Sequence, residues 1–181
     1  MTQLNFFIAD IKRILGKKKI RILHIWMSRS FCGVFMYRLE RSLYLLFGKY
    51  YSVFRVLFSP FIYLLQAYSN IEIHYKAEID GGLLILHPSL GCVISGQVVI
   101  GKNITLIGGN LIGTKKKCEK GTFIIGNNCT FGGNSTLIGP LVIGNNIKVG
   151  ASACVINDCL KDNSVLIGVP AKERSYKILK F

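Results

Sequence analysis

Downstream of residue 70 the large apolar residues fall six apart in three blocks. They are Ile73, Ile79 and Ile85; then Ile94, Ile100, Leu106 and Ile112; then Ile125, Phe131, Leu137, Ile143, Val149 and Val155. A helix repeats about every 3.6 residues and a strand every 2, so a strict period of six predicts a short strand, a turn and another short strand. The position four after an anchor is mostly small or aliphatic (Ala77, Val98, Ile104, Cys129, Ser135, Leu141, Ala153), so each hexapeptide sends two side chains into a narrow core. Units of this kind stack into a solenoid. Six anchors are followed directly by glycine, as suits a chain that turns sharply after each inward side chain.

Upstream there is no such register. The apolar spacing there predicts helices over Leu4 to Leu15, Arg21 to Phe47, and Tyr50 to Tyr68, the last broken or kinked at Pro60. The chain therefore divides into a helical unit (1–70), a solenoid (71–172) and a tail (173–181). Fifteen of its twenty aromatic residues lie in the helical unit, with eleven basic residues against two acidic ones, so this part is a different material from the solenoid. The longest uncharged run, Val56 to Ile71, is sixteen residues and contains Pro60. A spanning helix needs about 20 apolar residues, so none is expected.

Aromatic and aliphatic residues interleaved with Arg29, Arg38, Arg41, Lys49 and Arg55, behind the cluster Lys17, Lys18, Lys19 and Arg21, suit a peripheral contact with a membrane. They suit equally a helical cap packed on the solenoid and on neighbouring subunits. A net charge of +14 also meets the electrostatic demand of nucleic acid, but no nucleic-acid motif accompanies it, and that class is set aside. No basic start, apolar run and cleavage site follow one another at the N-terminus, so a cytoplasmic protein is expected, at most peripheral on the inner face of the cell membrane. The six cysteines show no C-x-x-C spacing and read as free core thiols.

Two breaks interrupt the repeat, one of nine residues between Ile85 and Ile94, containing His87, and one of thirteen between Ile112 and Ile125. Breaks in a regular scaffold are where function concentrates. Units such as Ile-Gly-Asn-Asn-Cys-Thr and Ile-Gly-Asn-Asn-Ile-Lys resemble the hexapeptide-repeat acyltransferases. That resemblance implies a mainly β fold, a left-handed parallel β-helix with three hexapeptides per triangular coil. Residues 72 to 87, Glu-Ile-His-Tyr-Lys-Ala-Glu-Ile-Asp-Gly-Gly-Leu-Leu-Ile-Leu-His, look like the segment of serine acetyltransferases that runs Asp-Ile-His-Pro-Ala-Ala-x-Ile-Gly-x-Gly and ends in Asp-His. The similarity continues through the basic loop after Gly113 and closes at Gly-Val-Pro-Ala-Lys, residues 168 to 172.

The resemblance implies a reaction and a set of residues. His87 becomes the general base and Glu72, fifteen residues earlier, stands in place of the family's aspartate as its partner. A hydroxyl is a poor nucleophile at neutral pH, so attack on a thioester needs a base of pKa near 7, and a carboxylate on the other ring nitrogen fixes the tautomer. His74 takes a structural or substrate-positioning role. Acetyl-CoA is implied in a groove between solenoids of a homotrimer, with Gly113, Gly133, Ser135, Gly150 and Ala151 beside the pantetheine arm and Lys115, Lys116, Lys117 and Lys172 at the phosphates. A zinc site, which needs three ligands from the protein, is not expected, since the solenoid holds only two histidines.

The acceptor is where the chain leaves the serine enzymes. Their aspartate before the base and their Arg-His pair late in the loop, groups suited to an amino acid, are replaced here by Leu86, Gly121 and Thr122. Together with the shorter, more apolar and basic N-terminal unit, this resembles the O-acetyltransferases of exopolysaccharide, capsule or O-antigen synthesis, and implies a sugar hydroxyl. Serine O-acetylation for cysteine biosynthesis, N-acetylation of an amino sugar and a non-catalytic membrane-associated scaffold are the alternatives.

Overall fold

The computed structural model describes residues 2–17, 19–115, 119 and 121–174. The first coil comprises β1 (Ile71–Ile73), β2 (Glu78–Ile79) and β3 (Leu84–Ile85); the second β4 (Cys92–Ile94), β5 (Val99–Ile100) and β6 (Thr105–Leu106). The third comprises β7 (Asn110–Thr114), β8 (Ile124–Ile125) and β9 (Thr130–Phe131); the fourth β10 (Thr136–Gly139), β11 (Val142–Ile143) and β12 (Lys148–Val149). β13 (Cys154–Val155), β14 (Val165–Ile167) and β15 (Lys172–Arg174) finish the stack. From β1 to β13 every third strand pairs in parallel, and β14 and β15 finish the third sheet, β14 parallel to β12 and β15 antiparallel to β14, so that the sheets run β1-β4-β7-β10-β13, β2-β5-β8-β11 and β3-β6-β9-β12-β14-β15. The parallel β-solenoid expected from the period is the fold found.

The anchors lie in register. Ile73, Ile94, Ile112, Leu137 and Val155 stack on one sheet, Ile79, Ile100, Ile125 and Ile143 on the second, and Ile85, Leu106, Phe131, Val149 and Leu166 on the third. All are buried and form one continuous core. Both breaks are absorbed at corners and leave the stacking intact. Ser89, four residues after an anchor, is carried out to the surface by the first break and does not join the core.

The helices are α1 (Gln3–Leu15), α2 (Arg29–Phe47) and α3 (Tyr51–Ser69). α2 starts eight residues later than the apolar spacing predicts, because Ser28 takes the extended N-cap conformation and the preceding residues form short 3₁₀ turns at Lys19–Leu23 and Ile25–Met27. α3 continues through Pro60 and is not broken there. The proline leaves the carbonyl of Val56 without its usual N–H partner, and the Ser59 hydroxyl donates to that carbonyl at 2.8 Å. Among the described residues no helix is long and apolar enough to cross a membrane.

α1 and α2 close the first coil. Gly33 lies against Ile71, where even a methyl group would meet the isoleucine side chain at 2.6 Å, and Tyr37 joins the core while its hydroxyl donates to the carbonyl of Ala77. Arg38 is held by the fully buried Asp10 at 2.8 Å and donates to the carbonyls of Ile79 and Asp80; Asp10 also accepts from the N–H groups of Gly82 and Leu83. Arg41 donates to the carbonyls of Tyr75 and Lys76 and pairs with Glu78, and Arg55 pairs with the buried Glu40. Of the two readings open for these three arginines the structure favours the cap: Arg38 and Arg41 are buried on the solenoid and Arg55 is bound to a carboxylate. A coil end leaves a ring of backbone carbonyls without partners, and guanidinium groups with five donors satisfy them efficiently.

Candidate active site

The corner between the third and first sheets collects small residues. His87 lies there in the turn Pro88–Leu90, followed one coil on by Gly108 and Gly109, then by Gly132 and Gly133, then by Gly150 and Ala151. Backbone hydrogen bonds fix this vertical order: His87 N–H to Ile107, Ile107 to Phe131, Gly132 to Val149, Gly150 to Leu166. Lys172, exposed on β15 opposite Ile167, ends the same edge. At about 4.8 Å per strand, His87 and Lys172 are separated by roughly 24 Å.

The imidazole of His87 is exposed and makes no hydrogen bond among the described residues, so both ring nitrogens are available to a ligand. Its carbonyl accepts from Leu90, and Gly108 passes so close to that carbonyl that a methyl there would collide with it. Gly108 has a φ of 135°, a conformation open to glycine. The edge is therefore pinned under His87 by backbone contact. Glu72, on β1 opposite Val93, faces outward and opens into a cleft of about 240 Å³ that it shares with Asn70, Gly91 and Val93. No hydrogen bond joins Glu72 to His87, although both border the same turn, whose Ser89 carbonyl accepts from the Asn70 side chain at 3.0 Å.

His74 is engaged locally. Its Nδ1 accepts from the Lys76 N–H at 3.1 Å, its ring stacks on Tyr75 at 4.5 Å, and Gly96 lies beneath it where a methyl would meet Nδ1 at 2.5 Å. Burial first, then Lys76 and Arg55, pushes its pKa below 6.5, which keeps Nδ1 free to accept. The geometry gives His74 a structural part in the first turn.

The expected cofactor residues separate into groups. Gly133, Gly150 and Ala151 share the edge of His87, and the N–H groups of Gly133 and Ala151 donate to nothing among the described residues. A methyl group at Gly133 would meet the Gly108 carbonyl and the Ile107 side chain at 3.8 Å, ordinary van der Waals contact without a clash. An extended chain bearing amide carbonyls fits such an edge, because small residues admit close approach and free N–H groups supply donors. Gly113 and Lys115 instead lie at the opposite margin of the first sheet; Lys116 and Lys117 fall outside the described residues. Ser135 is fully buried, so its side chain has no surface to offer a cofactor.

Ser135 does serve the edge from within. Asn110, also buried, donates from Nδ2 to the Ser135 hydroxyl at 2.9 Å and to the Gly132 carbonyl at 2.8 Å, while its Oδ1 accepts from the Gly108 N–H at 2.9 Å. One amide thus ties two coils together directly behind the corner that carries His87. Asn110 was missed in the sequence, where the available signal is a polar residue four after Leu106, at a position that otherwise points inward. Cys92 and Cys129 are buried thiols pushed up by burial, to about 12 and about 11, and have no thiolate character for nucleophilic work. Among the described residues no group of three His, Cys, Asp or Glu could hold a metal ion.

No protein-family model matches the chain, and no curated protein matches it. Solved structures do. The serine acetyltransferase of Neisseria gonorrhoeae superposes with a TM-score of 0.77 at 25% identity, over 96% of this chain and 66% of that one. A structure of the same enzyme in complex with serine gives 0.71 at 25% identity, over 94% and 68%. The serine acetyltransferase of Brucella abortus strain S19 in complex with Coenzyme A gives 0.72 at 22%, over 94% and 66%, an identity at which the likeness concerns the fold alone. The chain thus spans just under two thirds of the length of the Neisseria enzyme, and includes both a helical unit and a solenoid.

Proposed function

We propose that the chain is an acetyl-CoA-dependent O-acetyltransferase, with His87 as general base and a sugar hydroxyl as acceptor. The observation that carries the reading is the single edge that begins at an unengaged imidazole, continues past Gly108 to the N–H groups of Gly133 and Ala151, which donate to nothing among the described residues, and ends at Lys172. A thioester carbon held at the top of that edge lies within reach of a hydroxyl bound against His87. The imidazole takes the hydroxyl proton as the oxygen attacks, and gives a proton to the departing thiolate. Glu72 is assigned to the other ring nitrogen, and holding the imidazolium is its part in the step. Gly133 and Ala151 would donate to amide carbonyls of the pantetheine arm, and Lys172 would meet phosphate.

Self-assembly belongs to the same reading. The outer face of the first sheet carries exposed Val93 and Leu111, with Ile156 just past β13, and in a homotrimer a second solenoid against this face would supply the other wall of the groove. The likeness to enzymes solved with serine favours a second acceptor, serine itself. Against it, none of the described residues of this edge between His87 and Lys172 carries a charged side chain, so the edge itself offers a zwitterion no partner between those two residues. A glycan, or its lipid-linked precursor at the inner face of the cell membrane, presents hydroxyls without charge.

The acceptor is tested by incubating the full chain and acetyl-CoA with free serine and, separately, with oligosaccharide acceptors, and identifying products by mass spectrometry before and after mild base. A base-labile acetyl ester on the sugar is the expected product. Efficient formation of O-acetylserine would replace the sugar by serine, a base-stable product would indicate an amide, and no transfer to any acceptor would favour the scaffold.

A further inference from the structure

Between Leu45 and Tyr68 thirteen large apolar side chains are two-fifths or more exposed. At about 150–250 Å² for each aromatic side chain, this amounts to on the order of 1,000 Å² of apolar surface, against roughly 300–600 Å² for the largest patch on a typical monomer. The surface centres on α3, of which Tyr51, Ile62 and Ser69 are buried, with Arg55 tied to Glu40 beside them. At about 100° per residue its exposed side runs from Tyr63 through Val56, Leu64, Leu57 and Phe61 to Phe58, an arc of roughly 220°. Leu57 is 75% exposed and Leu64 66%.

Within the helical unit the exposed charge has one sign, and the nearest exposed carboxylate, Glu72, lies on β1 beyond the end of α3. Both acidic residues of the helical unit are buried in ion pairs, Asp10 with Arg38 and Glu40 with Arg55, while Lys12, Lys17, Arg29 and Lys49 stand exposed. Two of these cations bracket α3: Lys49 lies over the Tyr50 ring at 5.5 Å before its first residue, and Arg29 over Tyr68 at 6.0 Å near its last. Tyr68 also donates to the carbonyl of Met27 at 2.8 Å, which brings the exposed Trp26 and Met27 alongside the end of the helix.

We infer that α3, with Trp26 and Met27, is a docking surface for an anionic lipid bilayer, lying in the plane of the interface with its apolar arc sunk among the acyl chains and Lys49 and Arg29 at the headgroups. A packed neighbouring helix covers a stripe of about 100° and would leave half of the arc in water, whereas a bilayer covers a helix up to its flanks. A second copy would also bring positive surface to positive surface. An anionic leaflet attracts it. The docking is independent of the chemistry at His87 and would hold whichever acceptor is used.

Trp26 is the single tryptophan of the chain and reports directly. The full chain is mixed with vesicles of phosphatidylcholine alone and of phosphatidylcholine with phosphatidylglycerol, and followed by co-sedimentation and by Trp26 emission. The anionic vesicles are expected to bind the protein and shift the emission to the blue, with binding weakened by salt. Leu57→Glu, at an open position, is expected to lower partition at least tenfold, and Lys49→Glu at least about fivefold, since one surface charge is worth about that factor. Circular dichroism verifies the fold of each variant; should Leu57→Glu lose it, Lys49→Glu and the salt dependence decide. Absence of binding to both vesicles, equal binding to both, or self-association in sedimentation velocity that Leu57→Glu abolishes while vesicles are ignored would overturn the inference. Acetyl transfer to a soluble acceptor, measured without lipid, is expected to be unchanged by Leu57→Glu, so that failure of docking and failure of the proposed chemistry are separate results.

Discussion

Replacing Asn110 with leucine gives the solenoid the aliphatic residue its period calls for, yet the structure says the change is costly. The wild-type amide serves three groups in the interior behind the His87 corner: the Gly108 N–H, the Gly132 carbonyl and the Ser135 hydroxyl. In Asn110→Leu the Gly132 carbonyl keeps the Ser135 N–H at 3.2 Å, so two polar groups are orphaned. At about 1–3 kcal/mol for each buried group left unpaired, less about 1 kcal/mol for the gain in apolar burial, the net loss is roughly 1–5 kcal/mol. For a chain of this size that is a fall in Tm of about 3–15 °C, read by calorimetry. Gly108 touches the carbonyl of His87, so loosening it moves the base, and kcat for acetyl transfer should fall at least tenfold with the KM for acetyl-CoA changed less. A variant as stable as wild type and fully active would refute the reasoning, because the amide would then be only a tolerated irregularity.

Asp10→Ala removes the carboxylate from a buried guanidinium and from two N–H groups, and should cost about 3–5 kcal/mol in chemical denaturation, with the helical unit released from the first coil. His74 has a pKa held below 6.5, so the unfolded chain binds its proton more readily. Its contribution to stability is therefore present above about pH 6.5 and is lost as the pH falls through the depressed folded value; a Tm-versus-pH series should show this slope, and His74→Gln should flatten it. Gly133→Leu adds a side chain on the edge where its Cβ makes only ordinary contact with Gly108 and Ile107, so the fold should survive while the KM for acetyl-CoA rises tenfold or more. Lys172→Ala should raise the same KM severalfold and leave kcat nearly unchanged.

The solenoid was legible because its period is enforced by the core: one large inward residue per unit must lie over the next, and thirteen of them do so in the order in which they occur. The place of His87, exposed at a corner outside the core, was legible for the complementary reason, since a break in so strict a repeat takes the chain out of the stack. The helical unit was read less well. The apolar spacing continues upstream of Ser28, but residues there turn in 3₁₀ geometry, and the effect of Pro60 was cancelled by a hydroxyl one residue away. Arg38, Arg41 and Arg55 were read as surface charge because charge alone does not reveal a partner as distant in sequence as Asp10 or Glu78. Ser135 was read both as an inward position and as a corner residue beside the cofactor; the fold keeps the first and shows its partner, Asn110.

The most direct measurement is steady-state acetyl transfer from acetyl-CoA by wild type and by His87→Ala, with coenzyme A release and acetylated product both quantified on the acceptor that wild type uses. Loss of the base should lower kcat by about 10²–10⁴ with the KM for acetyl-CoA and the Tm little changed. Transfer by His87→Ala at the wild-type rate would contradict the assignment of that imidazole as the proton acceptor and, with it, the proposed chemistry of the edge.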